Sequence, residues 1–309
     1  MDFRIVSLLP SATELVAALG AAGELIGRSH ECDFPPEVAR LPVLTEARLD
    51  ASGTSAEIHA GMEAALAEAL SVYRVDAGRL KALAPDVVVT QAQCEVCAVS
   101  EDDVIAALAG WGGEGTGGPR LVSLKAADLL GVYDDIAGLA RAIGREAEGV
   151  VLAAEIRNRL DAIGCLAVEA GWKPRLMLIE WMAPLMAGGN WMPDLIGLAG
   201  GEGLFADAGK PSPWVEWEDL RAADPEAILI APCGFELQRV KGEMPVLEAL
   251  PGWSDLKAVR TGAVALADGN AFFNRPGPRL VESTEIIAEF LHPEIFDFGH
   301  QGTHWQAYP

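Results

Sequence analysis

The residues best suited to chemistry fall into two short phrases. His30 and Cys32 stand in Ser29-His30-Glu31-Cys32-Asp33, and Cys94 and Cys97 in Gln93-Cys94-Glu95-Val96-Cys97. A Cys-x-x-Cys lets two thiolates converge on one ion, and a His-x-Cys can supply two further ligands. Four soft or borderline donors suit zinc, or iron in a thiolate environment. Two other readings of His30, Cys32, Cys94 and Cys97 stay open: reduced thiols with no shared task, and a redox pair in which the Cys-x-x-Cys spacing lowers one thiol pKa. The cysteine count is five, which is odd, and free thiols are the default of a reducing compartment. Three more histidines, His292, His300 and His304, lie near the C-terminus, in a tail expected either to fold back on a lobe or to stay disordered. No G-x-S-x-G elbow, phosphate loop or clean dinucleotide fingerprint follows the first strand, so a binder is expected rather than an enzyme.

The elements that must carry these residues read as an α/β pattern. Arg4–Leu9 is a continuous apolar run that fits a buried parallel strand. Pro10 is expected to stop it, with Ser11 as helix N-cap and Glu14 completing a capping box. Strands are expected at Glu24–Ser29, Val87–Thr90, Arg120–Leu124 and Arg175–Ile179, and helices over residues 55–72 and 192–198. Between about Asp134 and Glu169 there is no proline. Leu152, Ile156, Leu160 and Ile163 there recur at helical spacing, which predicts one long helix from roughly Arg145 to Val168. The helix–proline–acid–strand unit Leu80–Thr90 recurs as Asp219–Ile230, and a cysteine-bearing loop follows each copy. Two similar α/β halves joined by one helix imply two lobes with a cleft between them, divided as residues 1–143, 144–171 and 172–309. Ligands of such sheets sit beyond the carboxyl ends of strands, which singles out the loops near residues 10–14, 29–35, 91–99, 181–192, 232–236 and 270–277.

Half of the residues are apolar, enough for a substantial core, and the formal charge is −22. That charge repels phosphate backbones and anionic membrane surfaces, so nucleic acid is not an expected partner. No run of about 18 apolar residues occurs, and membrane insertion is not expected. The apolar start at Phe3–Leu9 is interrupted by Pro10, Ser11, Thr13 and Glu14, unlike a secretory signal. The expected location is therefore cytoplasmic, or periplasmic if a signal was removed.

The phrases IVSLLPSATELVAALG, LIGRSHECDFPPEV and LKALAPDVVVTQ, with MAGGNWMPDLIGLAGGEGLF, WVEWEDLRAADPEAILIAPCG and NRPGPRLVESTEIIAEFLHP in the second half, resemble the cobalamin-binding proteins of ABC uptake systems. These belong to the class III periplasmic-binding-protein fold, two Rossmann-like lobes bridged by one long helix, which also serves metal-chelate and siderophore binding. The likeness covers about residues 4–293. It implies a cobalamin or related corrinoid as ligand, held for uptake, storage or handover, with an ABC permease or a corrinoid-handling enzyme as partner. An iron-chelate uptake component and a zinc- or iron-binding thiol protein on the same scaffold remain alternatives. The thiols of SHECD and QCEVC, and much of the helix over residues 55–72, depart from the family pattern. On this resemblance, ligand contacts are expected from Pro10, Ser11 and Ala12 at a helix start, and from His30, Glu31 and Gln93. His30 could also reach the cobalt of a corrin. The flat walls of Trp181, Trp191, Trp214, Phe235, Phe272 and Phe273 suit a wide, partly apolar ring. Arg275 could bond an amide or a phosphate of the ligand.

Overall fold

A computed structural model describes residues 3–67, 72–92, 101–108 and 118–308. The chain divides into two compact units. One holds Met1–Gly53, Glu57–Ala126 and Leu130–Ala154; the other holds Thr54–Ala56, Ala127–Leu129 and Glu155–Pro309.

The first unit is built on a parallel four-stranded sheet in the order β2-β1-β5-β6, with β1 Ile5–Ser7, β2 Leu25–Arg28, β5 Val87–Gln91 and β6 Arg120–Leu124. A small antiparallel pair, β3 Thr45–Ala47 and β4 Tyr73–Val75, completes its strands. Its helices are α1 Pro10–Val16, α2 Ser55–Ala67, α3 Ala77–Leu83, α4 Glu101–Leu108 and α5 Leu129–Ala142, the first residues of α2 and α5 belonging to the second unit. Val6, Leu8, Leu44, Leu80, Val88 and Val104 form a fully buried cluster. The central strands are apolar on both faces because helices cover both, as a parallel sheet requires.

The expected capping box does not form. The N-cap of α1 is Leu9, in extended conformation and without a side-chain cap; Pro10 takes the first helical position. Proline there needs no N–H and arrives with its φ already helical. Ser11 and Glu14 fall inside the helix, both buried. Thr13 instead donates to Ser7 Oγ at 2.8 Å, tying α1 to the end of β1.

The long helix is α6, Glu146–Ala167, closed by a short turn at Val168–Ala170 and by Gly171 at φ +72°. Ile156, Leu160 and Ile163 are buried along it as their spacing predicts, while Leu152 is only partly so. The second unit's sheet runs β12-β11-β10-β7-β8, with β7 Arg175–Trp181, β8 Met186–Ala187, β10 Ala227–Ile230, β11 Val264–Ala267 and β12 Trp305–Tyr308; β9, Glu202–Gly203, pairs with β7. Strands β7, β10 and β11 are parallel, and β8 and β12 antiparallel to their neighbours. Its helices are α7 Met192–Leu198, α8 Trp217–Ala223, α9 Leu237–Glu243, α10 Pro245–Glu248, α11 Lys257–Arg260 and α12 Leu280–Leu291. Among the described residues no helix is long and apolar enough to cross a membrane.

The repeated proline unit has the same anatomy in both copies. Helix α3 ends on Ala84 at φ +42° and α8 on Asp224 at φ +43°. Each residue precedes a proline, which disfavours the right-handed helical region, and the left-handed turn ends the helix there. The following acid then clasps the neighbouring strand. Asp86 Oδ2 accepts the Arg4 N–H at 2.9 Å, and Glu226 Oε2 accepts the Arg175 N–H at 3.1 Å. Each acid's own N–H returns a bond to the same arginine's carbonyl, at 2.9 Å in both copies.

The C-terminal tail folds back on its own unit. Strand β12 pairs with β11, and the buried Glu289 carboxylate gathers the N–H groups of Phe298 and His300 and the Trp305 indole N–H, the last at 2.7 Å. Glu285 holds Arg159 at 2.7 Å and His300 at 2.9 Å. Replacing Glu289 by Ala strands three donors. We expect a loss of about 3 kcal/mol, since a charge-assisted bond contributes roughly 1.5–3 kcal/mol and orphaned donors add to it. We also expect faster proteolytic clipping after His292. Urea unfolding and limited proteolysis check this, and an unchanged cleavage rate would refute the tail's dependence on Glu289.

Candidate functional site

In the first unit the chain leaves β2 through Ser29-His30-Glu31-Cys32, at the carboxyl end of a parallel strand. The loop is braced from below. Arg28 Nη1 donates to the carbonyls of Ser29 and Cys32, both at 3.0 Å, and Nη2 donates to the Ala39 carbonyl at 3.2 Å. Backbone carbonyls held by a fixed guanidinium fork lose most of their freedom, so the side chains they carry are pre-placed. The His30 N–H donates to Thr45 Oγ1 at 3.0 Å, and the His30 ring nitrogen Nδ1 lies 2.7 Å from the same oxygen. Tyr73 packs its ring 5.7 Å from the imidazole and donates its hydroxyl to Glu31 at 3.1 Å. Burial, and then the nearby Arg28 charge, lower the His30 pKa against an opposing pull from Glu46, so the ring is neutral at pH 7.

Cys32 takes a different path. It is buried, and its Sγ lies 3.0 Å from the Thr13 hydroxyl oxygen, within reach of a hydrogen bond. The expected four-ligand cluster can be followed only in part, because Gln93, Cys94 and Cys97 lie outside the described residues. Among the described residues no group of three or more His, Cys, Asp or Glu is placed to hold a metal. Ser11 and Ala12 are buried in α1, and Pro10 is partly exposed at its start.

In the second unit the named aromatics separate into distinct groups. Trp181, at the end of β7, sets its ring edge against Phe235 with centroids 5.4 Å apart and donates its indole N–H to the Ser55 carbonyl at 3.2 Å. Arg239 stacks 3.7 Å above the Phe235 ring, a cation–π contact. Ser55 also donates its N–H to Glu243 Oε1 at 2.6 Å, so residues 54–56 are bound into this unit. Trp191 donates to the Phe273 carbonyl at 2.7 Å, and Phe273 sits at φ +66° with its own N–H on Ser283. Phe272 instead meets His304, with ring centroids 4.8 Å apart. Arg275 is buried, with Nη2 on Asn270 at 3.0 Å. Trp214 is the exposed member of the set, at 55 %. Its neighbour Trp217 pins a loop through the Pro251 carbonyl and stacks on Trp253.

The sequence reading missed Thr45 and Glu180. Thr45 is far from His30 along the chain, and nothing in its local pattern marks it. Glu180 ends the apolar run of β7 beside Trp181 and is only partly exposed. Ser212 Oγ donates to its carboxylate at 2.8 Å, and the Gly189 N–H donates to Ser212 Oγ at 3.1 Å. A Cβ on Gly189 would stand 2.5 Å from the Ser212 backbone nitrogen, so this approach needs glycine. Burial outweighs these bonds and raises the Glu180 pKa to about 7. The carboxyl is thus shared between its acid and ionised forms at neutral pH, able to donate as well as accept.

Two α/β units, each built on a sheet with a parallel core, share one long helix, which is the architecture of the class III periplasmic binding proteins. The chain belongs to the periplasmic binding protein family, whose model matches residues 5–271. It is a substrate-binding protein of the ABC-transporter class, a family of binders rather than enzymes. Among curated relatives, it is 22% identical to the vitamin B12-binding protein of Vibrio cholerae, over 93% of this chain and 88% of that one. It is 23% identical to the ABC transporter substrate-binding lipoprotein YvrC of Bacillus subtilis, over 95% of this chain and 81% of that one. Among solved structures, a periplasmic heme-binding protein from Pseudomonas aeruginosa superposes with a TM-score of 0.74 at 20% identity, covering 100% of this chain and 99% of that one. The Vibrio cholerae vitamin B12-binding protein BtuF superposes with a TM-score of 0.65 at 20% identity, covering 94% and 97%.

Glu180 yields a pH prediction. Its pKa is higher folded than unfolded, so the native state holds the extra proton between the two values. The stability linked to it is present in full below the ordinary carboxylate range and falls as pH rises toward about 7. Glu180→Gln removes that loss. The variant's urea midpoint should match the parent's near pH 4.5 and exceed it increasingly up to pH 7.5. A constant gap across this range would count against a raised pKa.

Proposed function

We propose that this protein binds cobalamin or a related corrinoid and presents it to an ABC permease. The observation that carries the reading is the similarity to vitamin B12-binding proteins, which runs along 93% of the chain rather than through one motif. The site chemistry supports it. A corrin is edged by neutral amides, whereas haem carries two carboxylates. The half-ionised Glu180 can exchange hydrogen bonds with an amide but repels a carboxylate. The exposed ring of Trp214 offers flat apolar surface of the kind a macrocycle buries well.

Haem is the rival ligand, since solved haem-binding proteins share the fold. Isothermal titration of the full chain with cyanocobalamin, aquocobalamin and ferric haem separates the two. We expect one corrinoid per chain with a dissociation constant in the micromolar range or tighter, which corresponds to about −8 kcal/mol, and haem at least tenfold weaker. Haem binding without corrinoid binding would overturn the corrinoid reading. Glu180→Lys should narrow the preference by strengthening haem.

A further inference from the structure

His30 has one ring nitrogen engaged and one unused. Thr45 Oγ1 accepts the His30 backbone N–H at 3.0 Å and donates its single proton to Ser29 Oγ at 3.0 Å. Toward the ring, 2.7 Å away, that hydroxyl can then only accept. With Thr45 donating in that direction, the ring proton sits on Nδ1 and Nε2 keeps its lone pair. Among the described residues no hydrogen bond to Nε2 occurs. An imidazole whose Nδ1–H is anchored to an oxygen, on a loop braced by the Arg28 guanidinium, has the outer-shell arrangement of a metal-ligating histidine. It stands at the carboxyl end of β2, where α/β sheets take their ligands.

We infer that His30 Nε2 coordinates the metal of the bound chelate at an axial position, with Thr45 as the positioning residue that fixes the ring's tautomer. This rests on the proposed reading of the protein as a corrinoid binder and adds a selectivity to it. The bond formed is Nε2–metal and the bond broken is metal–water. The departing water keeps its own electron pair, and no proton moves because Nε2 carries none. The ligand is thus a metal tetrapyrrole with an exchangeable axial site. A corrinoid whose axial positions are held by strong ligands binds without this bond.

The test is visible absorption during titration of the full chain with aquocobalamin, and in parallel with cyanocobalamin, whose cyanide does not exchange with water. Aquocobalamin bands should shift on binding, cyanocobalamin bands should not, and the aquo form should bind at least tenfold tighter. His30→Ala should lose the shift and bring the affinity ratio of the two forms to about one. Thr45→Val should weaken coordination roughly 10- to 100-fold, and Thr45→Ser should restore it, which a merely structural role for the methyl-bearing side chain would not produce. Nitrogen-15 shifts of the free protein should show His30 protonated at Nδ1. Binding of both corrinoids with no shift, a shift that survives His30→Ala, or an Nε2–H tautomer would overturn coordination by His30 while leaving the corrinoid reading intact. If neither corrinoid binds, that reading fails, and ferric haem then decides the inference. A Soret shift abolished by His30→Ala sustains axial ligation, and its absence ends it.

Discussion

The bond from Arg4 to the Asp86 carboxylate, repeated from Arg175 to Glu226, is the constraint on which each sheet depends. Parallel neighbours share no tight turn, so nothing local sets their register. Here the register is set at the amino ends. A proline and a left-handed residue end the preceding helix, and the next acid grips the adjacent strand through both its side chain and its own N–H. Ile5 then faces Val87, and Leu176 faces Ala227. With the amino ends locked, the carboxyl ends are free to carry loops of differing chemistry, and the residues of interest are found there.

Those loops differ in what they offer but share a low charge. The first unit supplies a neutral imidazole braced by an arginine that spends its donors on backbone carbonyls. The second supplies a carboxyl that burial brings close to half-protonation. The whole chain carries a charge of −22, yet these two groups contribute little of it. Desolvation is the common cause: it acts against the charged form of both, lowering the pKa of the base and raising that of the acid. The family membership establishes a substrate-binding protein.

The loop carrying His30 and Cys32 shows how far residue spacing goes. A His-x-Cys pair reads as two ligands of one ion, but the two side chains serve different neighbours. Cys32 is drawn under α1 by the Thr13 hydroxyl, while His30 lies against Thr45 and Tyr73 from the small antiparallel pair. The aromatics behave similarly. Trp181 and Phe235 come together, whereas Phe272 and Phe273, adjacent in sequence, meet different partners, the backbone turning at Phe273, which is itself left-handed.

The sequence by itself determined the parallel α/β pattern, the long helix near residues 145–168 and the repeated helix–proline–acid–strand unit. Each rests on periodicity or on proline's fixed geometry, which act within a few residues. The helix Met192–Leu198 is in place for the same reason. The start of α1 was misread, because a Ser and a Glu at the right spacing also occur where proline has already begun the helix. Only the tertiary structure decided that Thr45 sets the His30 ring, that Glu180 is desolvated, and that the tail closes on Glu289. These depend on contacts between residues distant along the chain and on how much water each group loses, and no local pattern of residue types records either.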